Sequence, residues 1–326
     1  MTLPFTLQQL RILKIVASEK SFTKAAEILF VSQPSLSKQL KLLESRLGVL
    51  LINRNHNKIS LTEAGLLFLQ YSERILTLCE ESCRALIDLQ NGDRGNLTVG
   101  ASQTIGTYLL PHILALFAQN YPQINLKVQV NTTRIITQSL LNCSIDIAIV
   151  GGNVPGNLKK HLVIENFVED EFALIVPKSH PFAINKNKII KKEDLYHLNF
   201  ITLNTNSTIK KFIDDILNRN NIETKHFKTI MQLNSIEAIK TAVSLGLGAA
   251  FISSSAIEKE IELKTIEILN IENIKITRTL SVLINPSCYK SRAFEFFYNE
   301  LLILKNNLNV KKKIDISKKF DFVRIF

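Results

Sequence analysis

Ser21 and Ser32 restrict the fold of this chain more than any other pair of residues. Each can act as a helix N-cap, its side-chain oxygen accepting from a backbone N–H of the first turn, and each stands before a short amphipathic stretch. The first introduces a helix over Phe22–Leu29, whose Ala25-Ala26 pair lets a neighbouring helix approach closely. Val31 closes the turn. The second introduces a helix with Pro34 in its first turn, where the missing N–H costs nothing. Leu36, Leu40, Leu43 and Leu47 follow at helical spacing, and Gly48 supplies the stop. A helix over Leu7–Ser18, with Leu10, Leu13, Ile15 and Val16 as its apolar stripe, gives the pair a surface to pack on. The spacing therefore predicts helix, short turn, helix, with Gln33, Ser35, Ser37 and Lys38 facing outward.

A helix with that outer face fits a major groove, where glutamine can pair with adenine and lysine can reach guanine acceptors. An ordinary helical hairpin with a solvated polar face shares the pattern. Arg54-Asn55-His56-Asn57-Lys58 lies between Leu50-Leu51-Ile52 and Ile59-Ser60-Leu61 and reads as a two-stranded wing, with Arg54 and Lys58 placed for phosphates. Thr23, Ser32 and Lys41 complete the candidate DNA contacts. Charge favours this reading: residues 1–60 carry nine basic side chains against three acidic ones, within a net charge of +11. The tail over 306–326 holds six basic residues against two acidic, and the stretch between is close to neutral. A lysine-rich coding bias produces some of the same surplus, so charge alone settles little. The tail reads as solvated by default, with extra DNA contact second.

The 326 residues suffice for two or three domains, and 46% hydrophobic residues with only 11 glycines and 8 prolines exclude a disordered or collagen-like chain. Met1-Thr2-Leu3-Pro4 leads into an amphipathic segment without the pattern of a signal peptide, and no run of about 20 apolar residues occurs, so no membrane partner is expected. The four cysteines, Cys79, Cys83, Cys143 and Cys288, include no C-x-x-C pair, and the six histidines show no ligand spacing, so no metal or cofactor is expected. Gly151–Leu158 has the glycines of a phosphate loop but lacks its Lys-Ser/Thr, and Gly246-Leu247-Gly248 lacks the third glycine of a dinucleotide fingerprint. No paired carboxylates, Ser-His-Asp set or Cys-His pair stands at a predicted strand end, so the chain is not expected to be an enzyme.

Thr62 caps a long helix running to about Gln90. Leu69, Leu76 and Cys83 repeat every seven residues beside a second row of Ser72, Cys79 and Leu86, as in a short coiled-coil seam, with Leu69, Leu76, Cys79, Cys83 and Leu86 as dimer contacts. A helix buried against its own domain is the other reading. Asn91-Gly92-Asp93-Arg94-Gly95 is turn-rich and marks a hinge. Beyond it strands alternate with helices: strands over 97–101, 124–130, 145–150, 172–176, 199–203, 249–252 and 278–284, and helices over 108–119, 134–142, 208–218, 236–245 and 291–304. That order predicts an α/β fold with mixed sheets. Ser102-Gln103-Thr104 and Asn204-Thr205-Asn206-Ser207-Thr208 each follow a strand and start a helix, offering hydroxyls and backbone N–H groups to an anion; routine helix capping explains each one singly. Arg134 and Gln232 are lesser candidates.

Ser21-Phe22-Thr23-Lys24-Ala25-Ala26, Val31-Ser32-Gln33-Pro34-Ser35-Leu36-Ser37 and Leu61-Thr62-Glu63-Ala64-Gly65 together resemble the LysR-type transcriptional regulators over about Phe5–Leu304. The resemblance implies an α+β winged helix-turn-helix head (1–61), a dimerising linker helix (62–90), and a two-lobed α/β effector domain of periplasmic-binding-protein type (91–305). In that domain, lobe I would take about 95–167 and 272–305, and lobe II 168–271. It makes Gln33, Pro34, Ser37 and Lys38 base-reading positions; Lys38 stands where arginine is commonest, which removes bidentate guanine geometry. It implies a homodimer or homotetramer on a double-stranded DNA operator, RNA polymerase as a further partner, and a small-molecule co-inducer. The co-inducer would be held by Ser102, Gln103, Thr104, Arg134, Asn206, Ser207, Thr208 and Gln232.

Gly100–Pro111 further resembles the branch that regulates RuBisCO operons and inorganic-carbon genes in cyanobacteria and red-lineage plastids. That implies a phosphorylated sugar, glycolate derivative or nicotinamide nucleotide as effector, and a plastid stroma, or otherwise a bacterial cytoplasm, as location. A regulator of nitrogen or amino-acid genes is the close alternative, and a solute-binding module without DNA function the alternative of another class.

Overall fold

The computed structural model describes residues 3–55, 58–91, 95–184 and 188–314. They form two compact units. One is Met1–Gly92 with Leu141–Ser144 and Ser287–Ser291; the other is the remainder.

The first unit begins with α1 (Leu7–Glu19), α2 (Phe22–Ile28) and α3 (Gln33–Leu47), then the wing strands β1 (Ile52–Asn55) and β2 (Lys58–Leu61), and α4 (Glu63–Asn91). The caps do what their residue types dictate. Ser21 accepts from the Lys24 N–H at 3.3 Å, Ser32 from Ser35 at 3.4 Å, and Thr62 from Gly65 at 2.9 Å. Thr6 and Gln9 close a capping box on α1. Leu13, Val16, Ala25, Ala26, Leu36, Leu40 and Leu43 share one core with Leu51 and Ile52. Ile12 joins that core, whereas Ile15 is only half-buried.

Two contacts fix the wing to the helices. The buried Glu44 carboxylate accepts the Leu51 and Ile52 N–H groups at 2.9 and 3.2 Å. Thr62 then returns the chain, its N–H bonding the Leu51 carbonyl and its hydroxyl the Leu50 carbonyl. Leu50-Leu51 accordingly lies outside β1, which starts at Ile52, rather than forming the strand edge that apolarity predicts. Gly65 sits so close to this segment that a Cβ would lie 2.0 Å from the Leu51 carbonyl oxygen.

The second unit opens with β3 (Gly95–Ser102), a π-helical turn over Ile105–Leu109, α5 (Leu110–Asn120), β4 (Ile124–Asn131), α6 (Thr133–Leu141), β5 (Ile147–Val150) and α7 (Gly156–Lys159). Next come β6 (Val163–Pro177), α8 (Pro181–Ile184), β7 (Ile189–Ile190), β8 (Asn199–Leu203), α9 (Thr208–Arg219), β9 (Lys228–Leu233) and α10 (Ile236–Ser244). It closes with β10 (Ala250–Ser253), α11 (Glu258–Glu262), β11 (Ile266–Ile271), β12 (Ile276–Ile284) and α12 (Arg292–Ile314). α12 thus runs into the basic tail; residues 315–326 lie outside the described part.

β4, β3 and β5 pair in parallel, and β12 lies antiparallel to both β5 and β6. The second lobe hangs β10 and β11 on the far half of β6, with β8 and β9 as a parallel pair. One apolar core gathers residues from Leu97–Val168 and Leu280–Leu304; two others lie wholly within Phe172–Ile276. The segment expected as a strand over 172–176 is the end of a fifteen-residue strand that begins at Val163. Its first half carries Glu165, Glu169 and Asp170, which mask its strand character; Tyr298 donates to Glu165 at 2.9 Å. β9 and β11 also escape the sequence pattern, β9 because nearly all of it is exposed. Cys143 and Cys288, to which the sequence assigns no partner, form a disulfide with Cα atoms 5.7 Å apart.

Replacing Gly65 with alanine should force the start of α4 away from the wing and destabilise the head by about 1–3 kcal/mol. Denaturant unfolding of the full chain, followed by far-UV circular dichroism, measures the loss.

Candidate DNA-reading face and effector cleft

α3 presents its first turns outward because Leu36, Leu40 and Leu43 are held inside. Thr23, Ser32, Gln33, Pro34, Ser35, Lys38 and Lys41 are exposed and Ser37 is half-exposed, so the expected base-reading residues share one accessible face. Gln9, buried beneath α3, donates to the Gln39 side chain at 3.3 Å and sets how α3 lies on α1. The backbones of Arg54 and Lys58 belong to the wing and face across it in register, Arg54 against Ile59 and Asn55 against Lys58. Their side chains lie outside the described part. No sequence pattern marks Phe30, which is 96% exposed with a left-handed φ of 54° in the turn between α2 and α3. That φ is uncommon for an aromatic residue, and it aims the ring outward at the edge of the reading face.

The dimer seam expected on α4 is divided by the structure. Leu76 is only 4% exposed and Ser72 is fully buried, while Leu69 packs into the head core. The same chain occupies this half of the stripe, because a helix packed on its own α1 shows the spacing of a seam. Cys79 is half-buried, and Cys83 and Leu86 are exposed. Leu67, Tyr71 and Leu78 instead form an exposed apolar row at helical spacing on another side of α4.

In the second unit, Ser102 ends β3 and accepts from the Gly151 N–H at 3.3 Å, joining the carboxyl ends of two parallel strands, β3 and β5. Gln103 is exposed. Thr104 is 3% exposed, and its hydroxyl oxygen has no hydrogen-bond partner among the described residues. In the second lobe Ser207 caps α9, accepting from Lys210 at 3.4 Å, with Asn206 and Thr208 exposed beside it. Arg134 on α6 and Gln232 on β9 are exposed. Both serine/threonine segments therefore follow carboxyl ends of strands, where open α/β folds bind ligands.

A fixed charge stands beside Gly151, the residue whose N–H Ser102 accepts. Arg278 on β12 is buried, its Nε donating to Asp170 Oδ2 on β6 at 2.8 Å and its guanidinium lying 4.8 Å from the Phe172 ring centroid. Asp170 also accepts from Ser253 at 2.6 Å. A Cβ at Gly151 would lie 2.8 Å from the guanidinium carbon, so that glycine admits the arginine. Pairing with Asp170 neutralises it, and a lone arginine between strands carries no sequence pattern that marks it.

The lobes also meet through Tyr108. Its hydroxyl donates to Glu237 on α10 at 2.6 Å, and the Lys240 ammonium lies 5.0 Å from its ring. Lys240 is itself buried, bonding the Ala256 carbonyl at 2.8 Å and pairing with Glu237 and Glu260 at 2.9 and 3.0 Å. Burial and then the hydrogen bond to Glu237 push the Tyr108 phenol far above its usual range, so it stays a donor.

Residues 7–66 match the family model described as the bacterial regulatory helix-turn-helix protein, lysR family, and residues 90–303 match that of the LysR substrate binding domain. A probable RuBisCO transcriptional regulator of Phaeodactylum tricornutum is 75% identical over 306 residues, 94% of this chain and 99% of its own length. One from Synechocystis sp. (strain ATCC 27184 / PCC 6803 / Kazusa) is 52% identical over 300 residues, 92% of this chain and 86% of its own length. Among solved structures, full-length CbnR complexed with its target DNA matches with a TM-score of 0.69 at 22% identity, over 92% of this chain and 99% of that one, a likeness of fold.

Leu78→Lys is expected to split oligomers of the chain in sedimentation velocity while leaving its circular dichroism intact. Leu76→Lys, by burying a charge where a leucine packs, should instead destabilise the fold by roughly 2–5 kcal/mol. Arg278→Met, which strands the buried Asp170 carboxylate, should cost about 3–5 kcal/mol in the same unfolding measurement.

Proposed function

The chain belongs to the LysR family of transcriptional regulators, and on that premise we propose that it controls RuBisCO genes. It reads a partly palindromic operator as a dimer or tetramer and answers to a small anionic metabolite in the cleft between its lobes. The observation that carries the target genes is the 75% identity, over nearly the whole of both chains, to a relative named for that role. The exposed face of Gln33, Ser35, Ser37 and Lys38, with Lys41 beside it, supports base and phosphate contact. The function in this reading is binding, supported by the match to models of a regulatory helix-turn-helix and a substrate binding domain.

The effector reading rests on Thr104, whose buried hydroxyl lacks a partner among the described residues, in a protein interior where such groups are normally paired. A carboxylate or phosphate oxygen accepting from Thr104 and Ser102 would sit beside Arg278, and Ser207 with its neighbours would close on it from the second lobe. A phosphorylated sugar, glycolate derivative or nicotinamide nucleotide has the required charge. No resident cofactor enters this reading. The Ile-, Asn- and Lys-rich composition supports a plastid stroma as location, with a bacterial cytoplasm for a bacterial source. RNA polymerase is the further partner.

Genome-wide occupancy with and without carbon limitation tests the target. Peaks upstream of RuBisCO genes are expected, and peaks confined to nitrogen or amino-acid genes would replace this reading with its alternative. Log affinity for duplex DNA should fall with log salt by about 0.9 per phosphate neutralised, and Lys41→Ala should reduce that slope by about one. A flat salt dependence would favour a solute-binding module. Ser102→Ala with Thr104→Ala should abolish the metabolite-dependent change in footprint while DNA affinity holds; an unaltered response sinks the assigned effector site.

A further inference from the structure

We propose that Cys143 and Cys288 are a thiol–disulfide exchange site, worked by a protein dithiol, that governs how the loops before β5 and after β12 hold the linker helix. The two cysteines are 145 residues apart in sequence and bonded in the structure. Cys143 precedes β5 and Cys288 follows β12, so the bond clamps one end of the ladder in which Ser281, Val282 and Leu283 face Val150, Ile149 and Ala148. Ser102 and Gly151 lie at the other end of β5 and its neighbour β3.

These loops belong to the same compact unit as the head and α4. The Tyr289 N–H, next to Cys288, donates to the carboxylate of Glu81 on α4, and Glu81 is only 7% exposed. The Glu81, Cys143 and Cys288 ligand atoms all lie within 4.8 Å of one another. A buried carboxylate that loses its donor is costly, so whatever lets residues 287–291 move also changes the hold on α4.

The two sulfurs differ in access. Cys143 is half-exposed and Cys288 is buried, which directs an incoming thiolate to the Cys143 sulfur. That attack forms a mixed disulfide, breaks the Cys143–Cys288 bond and releases Cys288 as a thiolate, which takes a proton. The second thiol of the dithiol then displaces Cys143. The dithiol ends as a disulfide and the chain gains two thiols, a transfer of two electrons; an oxidised partner of the same class reverses it. In compartments kept reducing, disulfides are mostly transient, catalytic or redox-sensing. This last argument rests on the location proposed above, while the pairing and the contact with α4 do not.

The test uses the full-length protein, equilibrated in oxidised glutathione or in dithiothreitol as the dithiol probe. Thiols are counted by maleimide alkylation and intact mass after quenching and denaturation. Oligomeric state is read by sedimentation velocity, and affinity for duplex DNA of arbitrary sequence in parallel. Two thiols are expected when oxidised, those of Cys79 and Cys83, and four when reduced, reversibly and with unchanged circular dichroism. Opening the bond should shift the oligomeric state and weaken DNA binding by about fivefold, and Cys143→Ser and Cys288→Ser should both stay at the open value. Four thiols in oxidised glutathione overturn the proposal. So does a bond that dithiothreitol opens only with loss of circular dichroism, or an oligomeric state and DNA affinity that ignore the thiol count. A redox-dependent oligomeric state without DNA binding in either form would support the exchange site and overturn the DNA-regulator reading instead.

Discussion

β6 and β12 lie antiparallel over nearly the whole length of β12, from Ile276 opposite Phe172 to Ile284 opposite Val163, and the two lobes exist because this one ladder passes through both. Burying Arg278 and Asp170 in it removes two charges from water, a penalty that only good geometry and further hydrogen bonds offset. Asp170 takes an arginine and a serine, the guanidinium carbon lies 4.8 Å from the Phe172 ring centroid, and Gly151 leaves the space, while Arg278 Nη2, 2.7 Å from Asp170 Oδ2, is paired by charge without a hydrogen bond among the described residues. A hinge of paired charges resists register shifts better than an apolar ladder does, since sliding by one residue would strand both ions. The lobes can therefore differ in their other contacts, such as Tyr108 with Glu237, while their strands stay aligned.

The head obeys a comparable constraint on a smaller scale. Glu44 spends its carboxylate on two wing amides, and Gly65 lets α4 start directly over the Leu51 carbonyl. Reading helix, wing and linker helix are thus joined through a few backbone atoms around Leu50–Ile52. The Leu-Thr-Glu-Ala-Gly stretch that ends the head is where this geometry is written: threonine caps, and glycine yields room.

Much of this was legible because local rules decided it. Ser21, Ser32 and Thr62 are caps whose partners lie three residues away, and β8 coincides with its expected span over 199–203 because an apolar run is bounded by polar turns. What the sequence hid depends on partners far along the chain. The acidic first half of β6 looks like a loop until Arg278 and Tyr298 are brought to it, and the Cys143–Cys288 bond joins residues that no spacing relates. The α4 row of Leu69, Ser72 and Leu76 shows the opposite failure. Heptad spacing reports that a helix face is buried, but leaves open whether the partner is α1 of the same chain or another copy.

The interleaving of the lobes also sets an order of events during synthesis. The core of the first lobe needs Leu280–Leu304, which leave the ribosome after the whole of the second lobe, whereas every buried residue of the second lobe's cores lies within Phe172–Ile276. The second lobe can close while β3, β4 and β5 already wait outside, with the β5 edge that β12 will cover still unpaired. In the growing chain, the half of the cleft made first is the half completed last.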